Sequence, residues 1–193
     1  MDNSQNKYSD NIVDDGKPWY AIRLYSLKLD EIETFFHEKG METFSPKQIV
    51  TEEDKNGRIR KSLKPVVRNL IFVKKDMEDK AIKKVIYESN FKMSVFTKAE
   101  DKNQYSLIPS EEMYEFRLMC NPEISLRKFI SSEEAQLKEG EEVYVKFGLL
   151  KGLKGKLVRS SKKYYLLKEI PGIGVMMKVT KWCCVPLSEM KKS

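Results

Sequence analysis

The chain has 193 residues, 36 Lys+Arg against 29 Asp+Glu for a net charge of +7, 40% hydrophobic and 34% charged residues. Those figures describe one large or two small globular domains with enough apolar content for a core. No apolar run reaches the roughly 18 residues a membrane span needs, so no membrane partner is expected. Residues 1–16 are polar and acidic and predict a disordered tail rather than a signal peptide. Three cysteines cannot build a disulfide framework, which points to a cytoplasmic protein. A single histidine, His37, removes most hydrolase and metal chemistry.

The charge is unevenly placed. From Gln136 to Ser193 there are 13 basic and 5 acidic residues, or +8, leaving residues 1–135 at −1. Inside that near-neutral part, Lys55 to Lys75 carries eight cations and no acid. Clustered cations favour polyanions, so nucleic-acid contact is the functional reading and a solvated face the bland one.

Lys17 to Ser26 reads as a strand, and Leu29, Ile32, Phe35 and Phe36 predict a helix over Asp30 to Lys39 closed by Gly40. Met41 to Glu52 is extended and bent at Pro46. Lys55-Asn56-Gly57 forms a hairpin turn, and Arg58 to Lys64 returns as a basic arm. Val66 to Val73 is the most strand-like stretch. Asp76 is placed to cap a second helix carrying Ala81, Ile82, Val85 and Ile86. Strands follow at Phe91 to Thr97 and Tyr105 to Ile108, then a third helix from Pro109-Ser110 to Cys120 with Met113, Phe116 and Cys120 inward.

Residues 121–136 lose any period and read as a linker. Five short strands follow, at Val143 to Phe147, Lys156 to Ser160, Tyr164 to Glu169, Val175 to Thr180 and Trp182 to Pro186, and suggest a small barrel. The predicted fold is α+β: a disordered tail (1–16), an α/β sandwich with an antiparallel sheet (17–120), a linker (121–136) and a β-barrel (137–188).

Chemistry is hard to place. Cys183 and Cys184 are adjacent, Cys120 is remote and His37 more so, which is not the spacing of a metal site. Cys183 and Cys184 read instead as alternating faces of the last strand. The acidic pairs, such as Glu52-Glu53-Asp54 and Glu111-Glu112, fall at turns and helix starts. The glycines lack the Lys-Ser/Thr of a phosphate loop. No catalytic residue, metal or cofactor is therefore predicted. A nuclease built on converging carboxylates is the enzymatic rival.

Strand alternation places Trp19, Ala21 and Arg23 on one sheet face, with Leu70 and Phe72 beside them if Ile71 and Val73 face the helices. That face is expected to be open and apolar, a surface available to a partner. In the C-terminal part, EGEEVYVKFGLLKGLKGKLVR has Gly148 at a turn and Gly155 before the next strand, where the chain takes a positive φ or another backbone comes close.

This last segment resembles a KOW motif. WYAIRLYS, then the first helix, KPVVRNLIFVKKD and SLIPSEEM resemble, in that order, the N-terminal domain of the NusG family. The resemblance spans residues 17 to about 187, and within the family the chain looks most like the specialised RfaH and UpxY antiterminators. It implies a transcription antitermination and elongation factor that docks on the RNA polymerase clamp helices. The docking face would be Trp19, Ala21, Arg23, Leu70 and Phe72, and non-template DNA or nascent RNA would be touched. The basic arm, through Arg58, Arg60, Lys61 and Lys64, would meet phosphates. Lys83 and Lys84 stand where the specialised members carry a His-Thr-rich polymerase contact, and are assigned to nucleic acid instead. Phe147 replaces the usual polar residue before Gly148. Binding of a ribosomal protein or a termination factor by the barrel therefore stays open. The alternative is a KOW-domain RNA-binding protein of the translation apparatus.

Overall fold

The computed structural model describes residues 11–53, 55–124 and 126–190. The chain divides into two compact units, Met1–Tyr114 and Glu115–Ser193.

The first unit is built on an antiparallel sheet. Its strands are β1 (Trp19–Leu24), β2 (Thr43–Phe44), β5 (Leu70–Lys74), β6 (Met93–Val95) and β7 (Leu107–Ile108). They run in the order β2-β5-β1-β6, and β7 also pairs with β1. The register sets Ala21 against Phe72, Ile22 against Ile71 and Arg23 against Leu70. Paired residues point the same way, so Tyr20, Ile22, Leu24, Ile71 and Val73 share one face. That face packs on Leu29, Ile32 and Phe36 of α1 (Leu29–Glu38) and on Ile82 of α2 (Asp79–Glu88), all buried. Each such side chain withdrawn from water contributes about 1.5–3 kcal/mol. Gly40, at φ +72°, lets the chain leave α1, its N–H bonding the His37 carbonyl.

Several expectations change here. The strand anticipated over Val66 to Val73 begins only at Leu70. Asp76 does not cap α2; it pairs with Lys17, and the capping position is Glu78, which makes no side-chain cap bond. Asp79, in the first turn, holds the helix start instead: its Oδ1 accepts the Tyr20 hydroxyl at 2.6 Å and pairs with Lys75. Within the predicted tail, residues 1–10 lie outside the described residues. Asn11 to Gly16 is tied down, with Ile12 buried, Asp15 paired to Lys74 at 2.6 Å and the Ser110 hydroxyl donating to Asp14. Those contacts give the segment a reason to order that composition alone does not reveal.

Strands β3 (Lys47–Glu53) and β4 (Ile59–Pro65) form a separate two-stranded hairpin. Its turn uses Gly57 at φ +75°, as the Asn-Gly sequence predicts. Asp54, part of the acidic run noted above, lies outside the described residues.

The division between the units falls inside α3 (Ser110–Met119), after Tyr114. The second unit has strands β8 (Arg127–Ser131), β9 (Glu141–Val145), β10 (Lys154–Ser160), β11 (Lys163–Ile170), β12 (Ile173–Val179) and β13 (Cys184–Pro186). They form a six-stranded antiparallel sheet in the order β13-β9-β10-β11-β12-β8. The stretch expected to be a linker therefore carries β8, an end strand paired with β12, and the short helix α4 (Ser132–Gln136). Ser131 caps that helix by accepting the Glu134 N–H. The polar residues around the short Phe129-Ile130 pair masked the strand, which pairs along one edge only. Ala135 of α4 packs with Val158, Tyr165, Leu167 and Met176 on one face. Val143, Val145, Leu166, Val175 and Met177 are buried on the other.

Lys181 to Cys183 forms a 3-10 turn rather than a strand, so Cys183 and Cys184 are not alternating strand residues; only Cys184 begins β13. A short helix α5 (Leu187–Met190) follows. The β10–β11 turn is built by Ser161 and Lys162, both at positive φ, the backbone of a type I′ hairpin turn.

Candidate functional site

The five residues expected to form a docking surface lie together. The β1–β5 register brings Trp19, Ala21, Arg23, Leu70 and Phe72 to the sheet face opposite α1 and α2. That face is not open, however. Trp19, Ala21, Leu70 and Phe72 are all at most 3% exposed, and only Arg23 reaches solvent. Within the first unit, Phe44 stacks on Phe72 with ring centroids 6.4 Å apart, and Lys74 Nζ lies 5.9 Å from the Trp19 ring centre. A bare patch of Trp, Phe and Leu would leave hundreds of Å² of apolar surface in water, and burying it is the cheaper state. Arg23 forms the rim, its guanidinium 4.9 Å from the Phe96 ring centre.

Lys74 was not anticipated as part of this face. Its Nζ binds Asp15 at 2.6 Å and Glu42 at 2.8 Å with the side chain 13% exposed. Burial opposes its charge, but the two carboxylates outweigh that and raise its titration above the ordinary lysine value. The hydrogen bond from Lys74 in turn holds the Asp15 carboxyl below the usual range. The β1–β5 register sets Lys74 opposite Trp19 at the end of β5, a pairing that the sequence does not display.

The basic arm projects as the β3–β4 hairpin. Arg58, Arg60 and Lys61 are exposed, whereas Lys64 is half-buried and paired with Glu52 across the hairpin. Glu52 stands opposite Arg60 and Thr51 opposite Lys61. Residues 47–65 hold six cations and three acids, leaving the arm at +3. The eight cations between Lys55 and Lys75 therefore do not act as one patch, since Lys64, Lys74 and Lys75 are each taken up by carboxylates. Lys83 and Lys84 are exposed on α2, where Lys84 makes a loose pair with Glu88 at 3.7 Å. With Lys80 and the 88% exposed Tyr87 they fall at helical spacing on one outward stripe, separate from the hairpin.

In the second unit, Gly148 turns at φ +87° between β9 and the loop before β10. Gly155 has no positive φ; a Cβ there would stand 2.6 Å from the Leu167 carbonyl oxygen. It serves close backbone approach, one of the two alternatives open from sequence. Glu115 accepts Lys168 Nζ at 2.6 Å and the Lys154 N–H at 3.2 Å, with the Lys168 and Glu115 side chains only 13% and 6% exposed. Burial pushes the Cys120 thiol well above its ordinary value, leaving it an unreactive core residue. Among the described residues, no group of three or more His, Cys, Asp or Glu is placed to hold a metal ion.

The chain thus combines a sheet-and-helix unit that bears a basic hairpin with a second, β-rich unit. The NusG family model, described as transcription termination factor nusG, matches residues 17–117, and the chain belongs to the NusG family. Members of that family act in transcription elongation and termination and bind RNA polymerase. No curated protein matches the chain.

Proposed function

We propose that this chain is a transcription antitermination and elongation factor of the specialised RfaH and UpxY kind. It docks on the RNA polymerase clamp helices through the face of Trp19, Ala21, Arg23, Leu70 and Phe72. The β3–β4 hairpin and the Lys83–Lys84 stripe run along non-template DNA, suppressing pausing and termination on particular operons. The β-rich second unit is read as the family's KOW barrel. The factor binds and positions and catalyses no reaction, and it works in the cytoplasm.

The observation that carries this reading is the β1–β5 register, which gathers the five residues on the sheet face opposite the helices inside the family-matched segment. Because the apolar centre of that face is buried, docking requires the face to be uncovered first. Glutamate at Leu70 or Phe72 would break the fold rather than report on binding. Arg23, exposed at the rim, is the informative position.

Co-purification with core RNA polymerase followed by single-round transcription tests the proposal. Arg23→Glu is expected to lower polymerase retention about tenfold and to abolish read-through, since a wrong-sign rim charge opposes encounter. Wild-type protein that neither binds polymerase nor changes termination ends the proposal. Undiminished binding by Arg23→Glu reassigns the docking face.

A further inference from the structure

We infer that the second unit carries a stacking platform for single-stranded RNA, built from Phe147, Trp182 and Tyr164 with Lys146, Lys181 and Arg159. Trp182 is 72% exposed and Phe147 55% exposed, with ring centroids 6.0 Å apart at a 34° tilt. Single exposed apolar residues are ordinary, but two large rings held against each other in water are not. The backbone fixes them there. The Lys146 N–H donates to the Cys183 carbonyl at 2.8 Å, tying the end of β9 to the turn that carries Trp182. Lys181 adjoins Trp182 in the chain, and its Nζ lies 5.7 Å from the Tyr164 ring centre. Arg159, paired with Tyr164 across β10 and β11, lies 5.8 Å from the same ring centre.

The chemistry of this surface selects the ligand. A protein-docking core is depleted in lysine, whereas here a cation adjoins each ring. Lys146, Arg159 and Lys181 make no ion pair among the described residues, so their charge is available to phosphates. Aromatic faces alternating with cations are what a single strand needs: bases stack on the rings while the backbone follows the charges. The segment from Gln136 onward, at +8, supplies the surrounding field. The choice of RNA over DNA rests on the proposed function, which gives the DNA strand to the hairpin and leaves the transcript as the other single strand the factor meets.

The test uses the full chain without polymerase, so its failure is distinct from failure of the docking reading. A fluorescein-labelled uridine-rich RNA of about 12 nucleotides, matched to common single-strand site sizes, is titrated by anisotropy. Trp182→Ala and Phe147→Ala are each expected to weaken binding about tenfold, with Trp182→Phe restoring most of the loss. Replacing both Lys181 and Arg159 by Gln should lower the slope of log affinity against log salt by about 1.4, at ~0.7 per phosphate contact. Three results would each overturn the inference: no saturable RNA binding at low salt, equal RNA binding by the Trp182→Ala/Phe147→Ala double variant, or a loss of single-stranded DNA binding in that double variant as large as its loss of RNA binding.

Discussion

Gly148 and Gly155 look alike in sequence, but the structure gives them different physical duties, and substitution separates the two. At Gly155, a methyl group would enter 2.6 Å from the Leu167 carbonyl oxygen and 3.2 Å from Leu166 Cγ and Cδ1. The nearest obstacle is backbone of the neighbouring strand, so relief requires β10 to move off β11. Overpacking of that kind costs about 1–3 kcal/mol. For a unit of 79 residues this lowers the melting temperature by about 4–24 °C, at ~4–8 °C per kcal/mol. At Gly148, nothing lies within 4 Å and φ is +87°, so Ala meets only the left-handed backbone penalty of about 1–2 kcal/mol. Asn tolerates that conformation better than Ala. Calorimetric melting of Ala and Asn variants at both positions is the assay. Asn should recover most of the Gly148→Ala loss, whereas Gly155→Asn should be at least as damaging as Gly155→Ala. Rescue by Asn at 155, or a Gly155→Ala protein melting with the wild type, would refute the close-approach account.

Three other outcomes are expected. Lys168→Met should destabilise the second unit by about 3–5 kcal/mol by stranding the buried Glu115 carboxylate, and adding Glu115→Gln should recover much of it in a denaturant-melt double-mutant cycle. Hydrogen bonds from Lys75 and then Tyr20 hold the Asp79 carboxyl below its ordinary value of 3.8. Its stabilisation is therefore present above about pH 4 and is lost as pH falls through the depressed value, so Asp79→Asn should lower stability at neutral pH with a deficit that vanishes in acid melts. Replacing Arg58, Arg60 and Lys61 with Ala should reduce the salt slope of single-stranded DNA binding by about 2, at ~0.7 per phosphate, in titrations over a salt series; an unchanged slope would leave those residues a role in solubility only.

Much of the architecture was legible because local periodicity reports it. Leu29, Ile32 and Phe36 at helical spacing, the alternation through β1, and the Asn56-Gly57 turn each depend on residues close in sequence, and each appears where expected. Tertiary partners decided the exceptions. Asp76 could cap a helix by composition, yet Lys17, 59 residues away, takes its carboxylate. Phe129 and Ile130 are too short an apolar pair among polar neighbours to signal a strand, and pairing with β12 makes residues 127–131 one.

The same boundary runs through the candidate site. Alternation correctly grouped Trp19, Ala21, Leu70 and Phe72 on one face, because the side-chain period of a strand is local geometry. Whether that face meets water is a property of what packs over it, and the structure buries it. Charge behaves likewise. The two basic regions and the order of elements that marks the family can be read along the chain. Which cations stay available depends on folding, since Lys64, Lys74 and Lys75 find carboxylates while Lys61 and Lys83 face solvent. Ion pairs, burial and close backbone approach join residues distant in the chain, and their energies exist only once the fold brings them together.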